Sequence, residues 1–407
     1  MKHRYYLQLF LMLLVCSNIV FAQDLTKTNL SWKYQPDAPL QLSWDLYQPK
    51  GQLPVLMLQL QLSQPAKTNS LSGFVHYRDS LQNPVSLHRE PLFSSVNKGE
   101  ATHRFQHTID TTRGAEWLVL ELQHQQNTDS LRSFWYTLNI PALLHFGPPA
   151  FYLQQQNNPL VMPFALVNET FATQFPGTGA ADSLYMFVYD LNFSPASTPM
   201  TTAPNAGSNK MEISNRRRIA AGQQVEPQTE AFYFIQADTL TLKGKGIRAE
   251  DKYFPKTRTI PAFAGPIRYL STNEEWTELE RENFSKQALD RFWLRMTQSE
   301  DRARKIIRSY YRRVTQANRL FTTFKEGWKT DMGMIYVLYG PPDVVTQRPD
   351  GEQWQYRSRG DIPEINFTFV RAVNPFDPKY YQLVRDRDYA RTHFQTVSRW
   401  RRGQILP

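Results

Sequence analysis

The chain has 407 residues, of which 41% are hydrophobic and 21% charged, with 25 Phe, 20 Tyr and 9 Trp. That is enough apolar material for several packed cores, and it excludes a disordered or collagen-like chain. The net charge of +10 is uneven: residues 281–407 hold 24 Lys and Arg against 14 Asp and Glu, whereas residues 23–280 hold 21 against 23.

The chain opens Met1-Lys2-His3-Arg4, continues through a mostly apolar stretch over residues 5–21 and reaches Val20-Phe21-Ala22. A basic start, a short apolar segment and a small residue at the cleavage position predict a secretory signal peptide over residues 1–22, cut near Ala22. Its apolar core, residues 7–15, is too short to span a membrane comfortably. Cys16, the single cysteine, lies inside this segment behind a bulky Val15 that disfavours lipidation. From Gln23 onward there is no cysteine, which excludes a disulfide scaffold, a thiol nucleophile and a Cys-ligated metal. The expected localisation is outside the cytoplasm: periplasmic, outer-membrane-associated or secreted.

Residues 23–145 read as a β-sandwich-like domain. Leu40, Leu42, Trp44 and Leu46 alternate with other residues, as do Leu56, Leu58, Leu60 and Leu62, and similar segments lie at 74–77, 104–109, 117–122 and 133–138. Period-two alternation in short segments between turns predicts antiparallel sheets in two layers. Pro141 and Gly147-Pro148-Pro149 mark a boundary. Residues 146–272 read as a second β-rich domain, with strands near 151–153, 163–167, 184–190 and 231–237. A long exposed loop is expected over residues 194–209, followed by Arg216-Arg217-Arg218.

At Asn273 the period changes, and residues 273–407 read as an α+β domain with a basic tail. One helix is predicted over residues 274–296. Ser299 caps a second that carries Ala303, Ile306, Ile307, Tyr310, Val314, Ala317 and Phe321 on one stripe. Four strands at 334–339, 353–357, 365–370 and 380–384 are expected to form an antiparallel sheet beneath these helices. The fold class is therefore multi-domain: two all-β modules, then two helices packed on an antiparallel sheet.

The most distinctive stretch runs Glu326-Gly327-Trp328-Lys329-Thr330-Asp331-Met332-Gly333 and ends in Gly340-Pro341-Pro342-Asp343. It resembles the GWxTD domain, whose name matches Gly327, Trp328, Thr330 and Asp331. The resemblance extends over roughly residues 275–395, through Phe292-Trp293, Tyr310-Tyr311-Arg312-Arg313 and Glu352-Gln353-Trp354. It implies an exported bacterial protein with β-rich modules ahead of the domain, and it carries no established activity. Arg295-Met296-Thr297-Gln298 departs from the Asp-Pro-type turn frequent in relatives.

On physical grounds Gly327 is expected at a helix end with positive φ. Trp328 is expected to bury its ring, and Thr330 and Asp331 to bond turn amides and prevent helix. Gly340, Pro341, Pro342 and Asp343 are expected to stop the strand at 334–339. These eight residues are the candidate partner-binding positions. Asp331 and Asp343 would stand at opposite ends of a strand about 20 Å long, too far apart for paired acid–base chemistry.

His103 and His107 stand four apart in a strand-like segment and are read as exposed. There is no HExxH, no phosphate loop, no Gly-x-Ser-x-Gly elbow and no dinucleotide fingerprint. No catalytic residue, metal or cofactor is therefore assigned. Five Asp-Ser/Thr triplets, beginning at Asp79, Asp110, Asp129, Asp182 and Asp238, resemble O-glycosylation acceptors and equally fit turn chemistry.

The expected function is a non-enzymatic binding or scaffold module whose GWxTD domain contacts an envelope protein, or an anionic lipid or glycan through its basic face; nucleic acid is set aside. The alternative is an envelope hydrolase with a site near Trp328 and Asp331.

Overall fold

The computed structural model describes residues 24–65, 71–82, 89–93, 99–127, 130–177, 182–202 and 211–404. The signal-peptide reading, Cys16, Asp129 and part of the loop expected over 194–209 lie outside them. The described chain is β-rich, in several sheets, with its helices concentrated toward the C-terminal end.

The first strands are β1 (Leu40–Tyr47), β2 (Val55–Leu62), β3 (Leu71–Arg78), β4 (Arg89–Phe93), β5 (Thr102–Thr108), β6 (Trp117–Asn127) and β7 (Ser130–Asn139), closed by the short helix α1 (Ile140–Leu143). They form two antiparallel sheets, β1-β2-β5 and β4-β3-β6-β7. Trp44, Leu46, Leu56 and Leu58 from one sheet share a core with Val75, Tyr77, Leu118 and Leu120 from the other. Alternation in sequence thus becomes a common apolar layer between sheets.

A second sheet pair follows. Strands β8 (Tyr152–Gln155), β9 (Asn158–Pro159), β11 (Phe171–Gln174) and β14 (Gln224–Val225) form one sheet. The other comprises β10 (Phe164–Leu166), β12 (Ser183–Tyr189), β13 (Ile213–Ala220), β15 (Ala231–Gln236) and β16 (Gly244–Glu250). Phe151, Phe171, Leu184, Met186, Tyr233 and Ile247 join them in one core. Sequence alternation does not reveal β13 or β16. The former is an exposed edge strand carrying the three arginines, a charge pattern that resists pairing with another chain.

The helices that follow are α2 (Ile260–Ala264), α3 (Asn273–Arg281), α4 (Lys286–Thr297), α5 (Glu300–Phe321), α6 (Asp331–Tyr339) and α7 (Tyr389–Arg401). The single helix expected over 274–296 is two. Asn283 and Phe284 take φ of 48° and 50°, which ends α3, and the Ser285 side chain caps α4. Gln298, with φ of 55°, ends α4, and Ser299 caps α5 as expected.

A larger correction concerns residues 334–339, expected as a central strand. They are helical, and every residue of α6 is buried. An element enclosed on all sides is apolar all round whether strand or helix, so periodicity cannot distinguish the two. The sheet is completed instead by β17 (Val344–Gln347), which pairs with β18 (Gly351–Tyr356), followed by β19 (Ile365–Arg371) and β20 (Tyr381–Leu383). Tyr339 meets Phe367 of this sheet with ring centroids 5.0 Å apart, while on the other side Tyr336 meets Phe321 of α5 at 5.6 Å. Helix α7 was not predicted either; its fully buried Trp400 donates Nε1–H to the Leu338 carbonyl at 2.8 Å.

The N-terminal sheets and this C-terminal assembly are continuous. Leu25, Leu30, Trp117, Val119 and Trp135 belong to the same apolar cluster as α3–α7. The Leu30 N–H bonds the Val345 carbonyl at 2.8 Å, and Thr137 donates to Gln347 at 2.6 Å.

Candidate functional site

The expected site residues follow the end of α5. Thr322 donates its hydroxyl to the Asn318 carbonyl and receives the Gly327 N–H at 3.0 Å, while Asn318 Oδ1 receives the Trp328 N–H at 3.1 Å. Gly327 is not in the left-handed region, so the reason expected for it does not apply. Its role is close approach: a Cβ there would lie 2.0 Å from the Ala317 carbonyl oxygen.

Thr330 is the N-cap of α6, accepting the Gly333 N–H at 3.0 Å and donating to the Gly327 carbonyl at 2.7 Å. It starts a helix rather than preventing one. Gly333 sits where a Cβ would lie 1.8 Å from the Gly327 oxygen. At the other end Gly340, with φ of 87°, terminates α6, and Tyr356 donates to its carbonyl at 2.9 Å.

Trp328 is buried edge-to-face against Tyr269, with centroids 5.8 Å apart, and Tyr269 donates to the Trp328 carbonyl. Asp331 is buried too: its Oδ2 accepts the Leu383 N–H at 2.9 Å, and Arg385 reaches its Oδ1 at 2.5 Å. Pro342 is buried, its carbonyl accepting from Gln35 at 3.0 Å, while Pro341 and Asp343 are partly accessible. Asp343 accepts from the Arg357 N–H and from Arg359, both at 2.8 Å. The two aspartates thus flank a helix, about 13 Å long at 1.5 Å per residue, instead of a strand, and each has its own arginine. The motif holds α5, α6 and β20 together.

Open space lies nearby but elsewhere. A cavity of about 560 Å³ separates β1 and β7 from the C-terminal helices and sheet; Thr330 and Met332 border it, whereas Trp328 and Asp331 do not. Glu352 lies in its wall, receiving Lys33 Nζ at 2.6 Å, the Tyr34 hydroxyl at 2.7 Å and Trp354 Nε1–H at 3.0 Å. Burial alone would push this carboxyl up; the Lys33 charge and these three bonds outweigh it and hold the group below its ordinary value. Arg371 donates to the Tyr381 hydroxyl at 2.9 Å, and Lys379 Nζ donates to the Trp44 carbonyl at 2.5 Å. Burial pulls the Lys379 ammonium down, partly offset by Asp377. None of these groups is a site residue on sequence grounds, because the contacts that assemble them, Lys33 and Tyr34 with Glu352 and Lys379 with Trp44, join segments more than 300 positions apart.

Residues 231–402 match the family model of the GWxTD domain. The chain carries a GWxTD domain. The match begins in β15, well ahead of residue 275 where the resemblance was read, and so takes in β16 and α2. No curated protein matches the chain. Among solved structures, HBP35 of Porphyromonas gingivalis is similar over 53% of this chain and 66% of its own, just under two thirds, at 12% identity. The TM-score of 0.18 is too low for that likeness to carry an argument.

The GWxTD domain presents a basic face on α5. Arg302, Arg304, Lys305, Arg308, Arg312 and Arg319 are exposed, and of these only Arg304 has an acidic partner within ion-pair distance among the described residues. Arg313 turns inward, donating to the Val337 and Leu338 carbonyls and stacking on Trp400.

Elsewhere, His103 is buried against the Glu100 carbonyl and His107 is half-buried beside the Tyr77 hydroxyl, so neither is the exposed strand histidine expected. Among the described residues no cluster of three or more His, Cys, Asp or Glu is placed to hold a metal, and no helix is long and apolar enough to cross a membrane. Two of the Asp-Ser/Thr triplets are Asx turns: Asp110 accepts the Thr112 N–H and Asp238 the Leu240 N–H.

Proposed function

We propose that this is an exported envelope protein, matured by cleavage near Ala22, in which two β-sandwich-like domains (23–145 and 146–272) precede an α+β GWxTD domain (273–407) acting as a non-enzymatic binding or scaffold module. The observation that carries this reading is the burial of the motif: Trp328 and Asp331 have internal partners and border no cavity, and Thr330, at the edge of one, spends its hydroxyl on capping α6. The hydrolase alternative asks for a cleft beside Trp328 and Asp331, and there the GWxTD domain is packed.

Binding then falls to the surface of the domain. The exposed cations of α5 form a field that attracts an anionic partner: an acidic patch on an envelope protein first, an anionic lipid or glycan surface second. The test is capture from native envelope extracts at about 0.05 M and 0.5 M salt, using the wild type and a Lys305→Glu/Arg308→Glu/Arg312→Glu variant. A partner retained by the wild type at low salt, and lost in the variant and at high salt, is the expected result. Capture of nothing at low salt, or equal capture by the variant, overturns it.

A further inference from the structure

The cavity between the N-terminal sheets and the GWxTD domain is distinct from the stretch of α5 that carries Lys305, Arg308 and Arg312, although Arg319 at the end of that face reaches its wall, and its chemistry points to a small ligand. A volume of about 560 Å³ lies in the range of pockets that enclose small organic molecules. Its walls combine the aromatic residues Trp32, Trp44, Tyr136 and Tyr381 with polar side chains from β1 and β2. Tyr136 OH accepts the Trp44 Nε1–H at 3.0 Å, which fixes the two rings relative to each other. Gln59 gives its Oε1 to Arg104 at 3.2 Å, and its amide N–H groups find no acceptor among the described residues.

Charge decides what such a wall selects. The carboxylate in it, Glu352, already has its charge paired with Lys33 and accepts two further bonds from Tyr34 and Trp354. Arg371 is the converse: no carboxylate lies within ion-pair distance among the described residues. Its guanidinium is held 5.4 Å from the Tyr381 ring, with one N–H on the Tyr381 hydroxyl. A guanidinium fixed at one corner keeps donors in the planar fork that pairs with a carboxylate.

We infer that this cavity binds a carboxylate-bearing saccharide, with Arg371 gripping the carboxylate, the Trp and Tyr rings packing on the C–H faces of the sugar, and the β1–β2 side chains meeting its hydroxyls. The rings set the apolar body, the amides demand hydroxyl partners, and Arg371 sets the sign of the charge. A neutral sugar leaves the guanidinium without a counter-charge; an aromatic acid leaves the polar wall without partners.

The experiment is titration of the full mature chain with a hexuronic acid disaccharide, a neutral disaccharide of the same size and benzoate. It is followed by the fluorescence of Trp32 and Trp44 and by calorimetry. The uronate should bind at least about tenfold more tightly than the neutral sugar, and Arg371→Gln should remove that margin while leaving the neutral sugar unchanged. Arg371→Lys should restore part of it. If Arg371→Gln does not fold, Ser43→Trp, which fills the cavity from β1, should abolish binding. The inference is overturned by no uronate binding at millimolar concentration, by equal binding of the neutral sugar, by tighter binding of benzoate, or by an Arg371→Gln variant that binds as the wild type does. The α5 charge-reversal variant should bind the uronate normally, so the two proposals fail separately.

Discussion

Two regions meet at the start of α6 and differ in kind. On one side lie Trp328 and Asp331, enclosed by Tyr269, Leu383 and Arg385. On the other, bordered by the neighbouring Thr330 and Met332, is the cavity of about 560 Å³. The solid side is built from consecutive residues of one short motif. The hollow side is assembled from Trp32 to Tyr381, nearly the whole described chain. A signature compact in sequence marks a place where backbone segments approach too closely for substitution. A site dispersed in sequence is where differing side chains are brought to one space.

Substitutions separate the two regions. The largest effect should come from Gly333→Ala, whose new Cβ falls 1.8 Å from the Gly327 oxygen; a loss of more than about 4 kcal/mol in urea unfolding is expected. Next, Asp331→Ala leaves the partly buried Arg385 without its counter-charge and the Leu383 N–H without its acceptor, and should cost about 3 kcal/mol. Pairing it with Arg385→Met should recover part of that loss. A two-state melt near wild-type temperature for either single variant would show that the motif is not a packing device.

A third effect depends on pH. Burial lowers the His393 imidazole on α7 to about 4, and its Nδ1 has no partner among the described residues. The unfolded chain, with an ordinary histidine near 6.5, binds a proton that the folded chain refuses. Stability from this group is therefore complete above pH 6.5 and is lost as pH falls toward 4, by about 3 kcal/mol over the window. His393→Gln should remove that part of the acid sensitivity, measured as the difference in melting temperature between pH 7 and pH 5.

Smaller effects are expected on the hollow side and the surface. Arg371→Gln should cost about 1 kcal/mol for its bond to Tyr381. Lys305→Gln and Arg308→Gln, on the exposed face of α5, should stay within about 0.5 kcal/mol. A cavity variant that destabilised as much as Asp331→Ala would blur the contrast between the two regions.

What was legible in the sequence follows the same division. β1 and β2 show their alternation because one face carries the apolar residues of the sandwich core while the other, though covered at Tyr47 and Met57, also carries Gln41, Gln59 and Gln61. α5 shows its stripe for the same reason, and Ser299 marks its start. α6 has no exposed face and so no period to read, although Thr330 followed by Asp331 is a helix-start signal that outweighs the strand reading. The break at Asn283 and Phe284 leaves no mark in the apolar pattern, since α3 and α4 bury similar residues on either side of it. The motif is legible in the sequence, but the reason for its glycines is not: Gly327 and Gly333 answer to neighbouring carbonyls that only the fold brings near. The cavity was invisible, because no local pattern places Lys33 beside Glu352 or Trp44 beside Lys379.

One further consequence lies in the stretch from Asn29 to Tyr34. Asn29 bonds the Asp343 carbonyl, Leu30 bonds Val345, and Lys33 and Tyr34 bond Glu352, separations of more than 300 residues. A chain made from its N-terminus therefore holds this segment in waiting until β17 and β18 have emerged, and loop closure of that span is slow. Any fragment released before Asp343 leaves Leu30 and Tyr34 without a place to settle, so the molecule carries a built-in check that its synthesis has run through to the final sheet.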